Sequence, residues 1–81
     1  MARTSAKVDL DARLAQLGDG IRAARLKAGL SQEALADAAG IDRSHMSRIE
    51  RGKRNVSFLN LCKIAEALGV PVSQIVELGG L

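Results

Sequence analysis

The side chains that could do chemistry in this chain are concentrated in one basic stretch. Residues 41–55 carry five basic and two acidic side chains, while the rest of the chain is balanced, so this stretch holds the whole net charge of +3. Clustered lysines and arginines attract polyanions such as the phosphate backbone of nucleic acids. A solvated basic face that binds nothing has the same composition, so charge alone leaves both interpretations open.

Catalytic chemistry has few residues to use. The 81 residues include one His, one Cys (Cys62) and no glycine-rich loop that could cradle a phosphate. Catalysis needs a nucleophile with a base, paired carboxylates or metal ligands at fixed spacing, so we expect no catalytic residue, no metal and no cofactor. A lone cysteine cannot form an intrachain disulfide, and no apolar run reaches the roughly 18–20 residues that span a bilayer. We therefore expect a cytoplasmic protein without a membrane partner.

A helix through the middle of the basic stretch would have two distinct faces. At about 100° per residue, directing Met46 and Ile49 into a core leaves a polar face on the opposite side. That outer face consists of Ser44, Ser47, Arg48 and Arg51. Arg43 and His45 fall on the flanks, and Glu50 falls on the inward side. Because serine permits close approach and arginine bonds bidentately to guanine, this face suits the major groove of DNA.

Further helices are needed to hold that face in place. Apolar residues at steps of three and four predict a first helix whose firm part is roughly 18–28. Capping residues, helix-ending glycines and one proline predict four more, which start at Ser31, Asp42, Ser57 and Pro71. No segment alternates as strands do, so the expected fold is an all-α, compact five-helix bundle. We divide the chain into a flexible N-terminal arm (1–10), a DNA-binding domain (11–78) and a tail (79–81).

Two of these helices form a helix-turn-helix, in which the second helix enters the major groove. Ala36 lies where the two backbones approach most closely, and Gly40 supplies the positive φ of the turn without Cβ strain. At the start of the earlier helix, backbone N–H groups and the Gln32 side chain can hold a phosphate.

The segment from residue 30 to residue 78, LSQEALADAAGIDRSHMSRIERGKRNVSFLNLCKIAEALGVPVSQIVEL, resembles the helix-turn-helix domain of the Xre family, the class of phage Cro and repressor proteins. The pieces LSQEALA, SRIERGKR and KIAEALGV carry the resemblance, which covers roughly residues 18–78. It implies a lambda-repressor-like fold and homodimers on palindromic operators. It also implies DNA contacts by Gln32, Arg43, Ser44, Arg48, Arg51, Lys53, Arg54 and Asn55.

The resemblance carries two further implications. The first is an ion pair, because the family often pairs an arginine of its first helix with a glutamate of its third helix. Arg25 and Glu50 stand at those two positions. The run IDRSHMSRIERGKRNVSFLNL is also similar to the controller proteins of restriction–modification systems, which usually have an aromatic residue where this chain has His45. The role of His45 is therefore open between contacting a phosphate or base and contacting neither.

The last predicted helix is more apolar than docking on its own chain requires. Its excess apolar residues predict a dimer interface, formed by Val72, Ile75, Val76 and Leu78. We therefore expect a homodimeric transcription regulator on double-stranded DNA, with recognition helices about 34 Å apart, that blocks or recruits RNA polymerase. The alternative is a protein-interaction module, such as an antitoxin-type helix-turn-helix protein.

Overall fold

The computed structural model describes the backbone of residues 3–81 and the side chains of residues 12–81. The described backbone forms five helices: α1 (Arg3–Lys27), α2 (Gln32–Ala39), α3 (Arg43–Glu50), α4 (Phe58–Leu68) and α5 (Val72–Leu78). Over these residues there is no strand, and the predicted all-α, five-helix fold is confirmed. No single helix there is long and apolar enough to cross a membrane; α4 and α5 reach that apolar length only together, across a bend of 93°.

Helix α1 begins earlier than the firm part that the sequence predicts. It extends to Arg3 and so runs through most of the segment predicted as an N-terminal arm. The side chains of residues 1–11 lie outside the described residues, and the mobility of the arm stays a prediction. The two glycines inside the helix lower its intrinsic propensity, but they allow close packing. A Cβ at Gly18 would collide with the Glu50 carbonyl, and one at Gly20 with the Ile75 carbonyl.

The predicted capping residues begin three of the helices. The Ala34 N–H donates to the Ser31 hydroxyl over 3.0 Å at the start of α2. The Asn60 N–H donates in the same way to the Ser57 hydroxyl over 3.1 Å at the start of α4. Each bond satisfies a backbone N–H that has no partner within its own helix. Local side-chain chemistry therefore fixes where these helices start, as the sequence predicts.

An aliphatic core holds the bundle together, and every helix contributes to it. Its largest fully buried side chains are Ile21, Leu35, Met46, Ile49, Ile64 and Ile75. Helix α1 packs against α3 and α5, while α2 packs against α3 and α4. The one aromatic residue, Phe58, is 68% exposed. Helix α3 is therefore held from one side by α1 and α2, which leaves its other side available to solvent.

Candidate nucleic-acid interface

Helices α2 and α3 form the predicted helix-turn-helix. Ala36 is completely buried, as the close approach of the two helices requires. Gly40 ends α2 at a φ of +69°, in the left-handed region, and the Ile41 N–H then donates to the Ala36 carbonyl over 2.9 Å. Met46 and Ile49 point from α3 into the core. The turn and these buried contacts set the angle at which α3 leaves α2.

The solvent side of α3 carries the polar side chains that the rotation of the helix predicts. Four of them are exposed and Ser47 is half-buried. The exposed side chains are Arg43, Ser44, Arg48 and Arg51. Lys53, Arg54 and Asn55 follow directly after α3 and are exposed as well. A helix with its apolar side buried and its arginines in solvent can bring guanidinium groups to base edges and phosphates.

Asp42 caps α3 through a single carboxylate oxygen. Oδ2 accepts hydrogen bonds from the Ser44 N–H over 3.1 Å, from the His45 N–H over 3.3 Å and from the Ser44 hydroxyl. The Ser44 hydroxyl bond and the His45 N–H bond hold the pKa of the Asp42 carboxyl below its ordinary value of 3.8. The hydroxyl proton of Ser44 is thus directed at its own chain, and the hydroxyl oxygen keeps lone pairs that can accept a further hydrogen bond.

His45 is half-buried, unlike its exposed neighbours on α3. Its Nε2 atom, at the tip of the ring, is enclosed and has no hydrogen-bond partner among the described residues. An enclosed ring tip cannot reach a phosphate or a base in this arrangement. The choice between the two roles of His45 stays open.

A buried ion pair joins α1 to α3. Arg25 and Glu50, the two residues that the resemblance pairs, meet with the Arg25 Nε 2.7 Å from the Glu50 Oε2. A second Arg25 nitrogen donates to the Glu50 Oε1 over 3.1 Å, and the third donates to the Leu30 carbonyl over 3.0 Å. This forked geometry satisfies both charges inside the protein. The ion pair ties the end of α3 to α1.

Gln32 belongs to the same network, and its part in this network is not predicted by the sequence. Its Nε2 donates to the Glu50 Oε1 over 3.0 Å, which uses one of the two N–H donors of the amide group. The Ser31 hydroxyl accepts only the Ala34 N–H, which leaves the backbone N–H groups at the start of α2 able to hold a phosphate. A DNA contact by Gln32 stays a prediction. Only the tertiary fold brings it to Glu50, and no local pattern signals the contact.

The apolar side chains of α5 divide between the core and the surface. Ile75 is completely buried, whereas Leu78 is 40% exposed. Val72 and Val76 are half-buried. Because Ile75 has no exposed surface, it packs in the core of its own chain and cannot contact a second copy. The predicted dimer interface then depends on Val72, Val76 and Leu78, and it stays a prediction.

Known proteins share both the sequence pattern and the arrangement of these helices. The family model described as Helix-turn-helix matches residues 21–75. Control protein C.MunI of Mycoplasma sp is 49% identical over 60% of this chain and 66% of that protein, just under two thirds of its length. Control protein C.BamHI of Bacillus amyloliquefaciens is 44% identical over 74% of this chain and 75% of that protein. The crystal structure of the restriction-modification controller protein C.AhdI from Aeromonas hydrophila has a TM-score of 0.75 and 44% identity, over 76% of this chain and 94% of that one.

Proposed function

The chain belongs to the helix-turn-helix family of DNA-binding regulators, and from this membership we propose that it regulates transcription as a homodimer on a palindromic operator. Like the controller proteins that it resembles, it acts for a restriction–modification system. The observation that carries the proposal is the position of α3, which buries Met46 and Ile49 and exposes Arg43, Arg48 and Arg51. It is a binding protein and not an enzyme.

The proposed contacts fall into two classes. Helix α3 lies in the major groove, where its side chains meet base edges, and Arg48 bonds bidentately to a guanine. The exposed Lys53, Arg54 and Asn55 and the backbone N–H groups at the start of α2 hold phosphates, which fix the register of the protein on the duplex. Base contacts supply specificity, and phosphate contacts supply most of the salt-dependent affinity.

The two-fold symmetry of the operator requires two copies of the chain. Val72, Val76 and Leu78 on α5 form the contact between them, and the two α3 helices enter successive major grooves about 34 Å apart. A dimer placed near a promoter in the cytoplasm blocks RNA polymerase or recruits it. The alternative, an antitoxin-type protein-interaction module, needs neither a palindromic site nor salt-dependent affinity for DNA.

Selection from a library of random duplexes tests the proposal directly. The full chain is mixed with the library, bound duplexes are recovered by gel shift, and the enriched sequences are read. We expect a palindromic site, with affinity that falls steeply as salt concentration rises. Retention of all sequences alike, or of none, would favour the protein-interaction module.

Arg48 provides the first test by mutation. Arg48→Ala removes the bidentate donor, so we expect it to cost about 1–3 kcal/mol on the selected site and to relax the preference at one base position. Lys53→Ala is the contrasting variant, because it removes a positive charge that neutralises a phosphate. It should weaken binding evenly on all sequences and make the salt dependence of log K shallower by about 0.9.

Arg22→Ala is the matched charge control, since Arg22 is exposed on α1 outside the helix-turn-helix. Its effect should be small and independent of sequence. A loss on Arg48→Ala that is equal for all sequences would assign Arg48 to a phosphate instead of a base.

A further inference from the structure

A surface cavity of about 210 Å³ lies between the end of α1, the end of α4 and α5. Four of the residues that line it are apolar. Ala24 and Leu68 are buried, Val70 is half-buried, and Ala28 lies at the exposed rim. The cavity is smaller than the roughly 300–1,000 Å³ of sites for drug-sized ligands. It can therefore hold a small molecule, but not a large one.

Two polar side chains complete the lining of this cavity. Lys27 is exposed and Gln74 is half-buried. Among the residues whose side chains the structure describes, neither side chain forms a hydrogen bond or an ion pair. The Lys27 ammonium group has three N–H donors, and the Gln74 amide group has two more. A few polar groups beside an apolar lining are the usual composition of a small-molecule site.

The charge of the lining favours an anion. In the described part of the chain, Lys27 is the one charged residue that lines the cavity. The nearby ends of α1 and α4 carry the partial negative charge of helix C-termini. That charge is reduced by two bonds, in which the Leu30 N–H donates to the Arg25 carbonyl and the Val70 N–H donates to the Ala65 carbonyl, each over 3.1 Å. The full positive charge of the ammonium group therefore dominates, and it attracts a carboxylate.

We propose that this cavity binds a small aliphatic carboxylate. The carboxylate group accepts N–H bonds from Lys27 and Gln74, and the short hydrocarbon body covers Ala24, Leu68 and Val70. A bond from an ammonium group to a carboxylate is charge-assisted, and the removal of apolar surface from water adds to the affinity. The inference goes beyond DNA binding and does not depend on it, so the two are tested separately.

Titration of the isotope-labelled full chain with sodium isocaproate tests the site. This probe has a carboxylate at one end and a branched hydrocarbon at the other. Backbone N–H signals are followed by NMR at constant ionic strength. We expect saturable shifts at the lining residues, with a dissociation constant of about 1 mM. Isocaproamide, which has the same shape but no charge, should bind about threefold to tenfold more weakly.

Two variants separate the charge of the site from its space. Lys27→Met removes the charge and keeps a long side chain, so it should weaken isocaproate binding about threefold to tenfold and leave isocaproamide binding nearly unchanged. Ala28→Leu fills the cavity from its exposed rim and should weaken the binding of both compounds by about tenfold. Lys63→Met is the matched control, because Lys63 is exposed on α4 outside the cavity. It should change neither.

Three results would overturn the inference. The first is the absence of saturable shifts at the lining residues at about 20 mM isocaproate, well above the expected dissociation constant. The second is equal binding of isocaproate and isocaproamide that Lys27→Met does not alter, which would make the site apolar only. The third is a set of shifts confined to residues 41–55, which would mean general attraction of an anion to clustered basic side chains. Spectra of the variants without ligand check that each keeps the fold.

Discussion

At the scale of the residue, Glu50 is the most deeply buried charged side chain among those that the structure describes. It is 6% exposed, and its two oxygens receive donors from α1 and α2: two nitrogens of Arg25 and the amide of Gln32. A buried charge is tolerated only when it is paired and hydrogen-bonded, and removing one partner leaves the other uncompensated. We therefore expect the loss of one partner to weaken the whole network that holds α3.

Arg25 and Glu50 should accordingly show strong coupling. We expect Arg25→Ala and Glu50→Ala each to lower the free energy of unfolding by about 3–5 kcal/mol. The double variant should lose clearly less than the sum of the two, because it leaves no lone buried charge. Urea titrations followed by circular dichroism measure all three. A double variant that is no more stable than additivity predicts would contradict the coupling.

Acid stability should reveal the Asp42 cap. Its carboxyl has a lowered pKa in the folded chain, so it binds a proton less readily when folded than when unfolded. Its contribution to stability is therefore complete when the pH is above 3.8, the ordinary pKa of the group. That contribution is lost as the pH falls through the lower pKa of the folded chain. Between about pH 5 and about pH 2, Asp42→Asn should lose less in melting temperature than the unmodified chain. Over the same pH range, the melting temperature of Asp19→Asn should fall by as much as that of the unmodified chain.

Exposure could be predicted from sequence at this scale, but side-chain partners could not. Rotation about α3 correctly places Arg48 and Arg51 in solvent and Glu50 on the inward side. The surroundings of Gln32 and His45 could not be predicted, because they depend on tertiary packing. Gln32 is separated from its acceptor by 18 positions in the chain, and no local pattern indicates such a contact.

At the scale of the element, the start and end of each helix from α2 to α4 follow from local chemistry. Serine or aspartate caps and left-handed glycines act through residues two to four positions away, which is why the sequence predicts them. The middle of α1 is held by distant contacts instead. It packs against the turn that follows α3, where the space that a Gly52 Cβ would fill lies 2.6 Å from the Ala15 Cα.

Gly52 and Gly40 form a matched pair that tests this packing. Both have a φ near +70°, but a Cβ at Gly40 would meet nothing within 4 Å. Gly40→Ala should cost only the backbone strain, about 1–2 kcal/mol. Gly52→Ala should cost that strain and about 1–3 kcal/mol more, because the added methyl group pushes α1 away. Equal losses in urea titrations would mean that α1 does not press on this turn.

At the scale of the whole molecule, the small core and the apolar surface of α5 both favour pairing of two copies of the chain. A chain of this length buries only about 60% of its unfolded surface, which leaves a thin margin of stability. Pairing of two copies through α5 would bury further apolar surface, including Leu78. The sequence predicts more apolar residues on α5 than its own docking requires, and their use in a dimer stays a prediction. It could not show that Ile75 is used by the core, since that depends on how α5 meets α1.

Leu78 therefore tests the dimer. Leu78→Lys places a charge in the proposed contact, and we expect the dimer dissociation constant to rise by at least tenfold, equivalent to about 1.4 kcal/mol. Leu26→Lys is the control, because Leu26 is exposed on α1 and the chemical change is identical. Sedimentation equilibrium measures both. Equal dissociation constants for the two variants would place the contact elsewhere.

The all-aliphatic core also makes the protein almost silent in fluorescence. The chain has no Trp and no Tyr, and its single Phe is exposed at the start of α4. Phe58→Trp would therefore introduce a lone fluorophore without disturbing the buried side chains. Because residue 58 lies three positions after the basic stretch of residues 41–55, we expect its emission to change when a duplex binds beside that stretch.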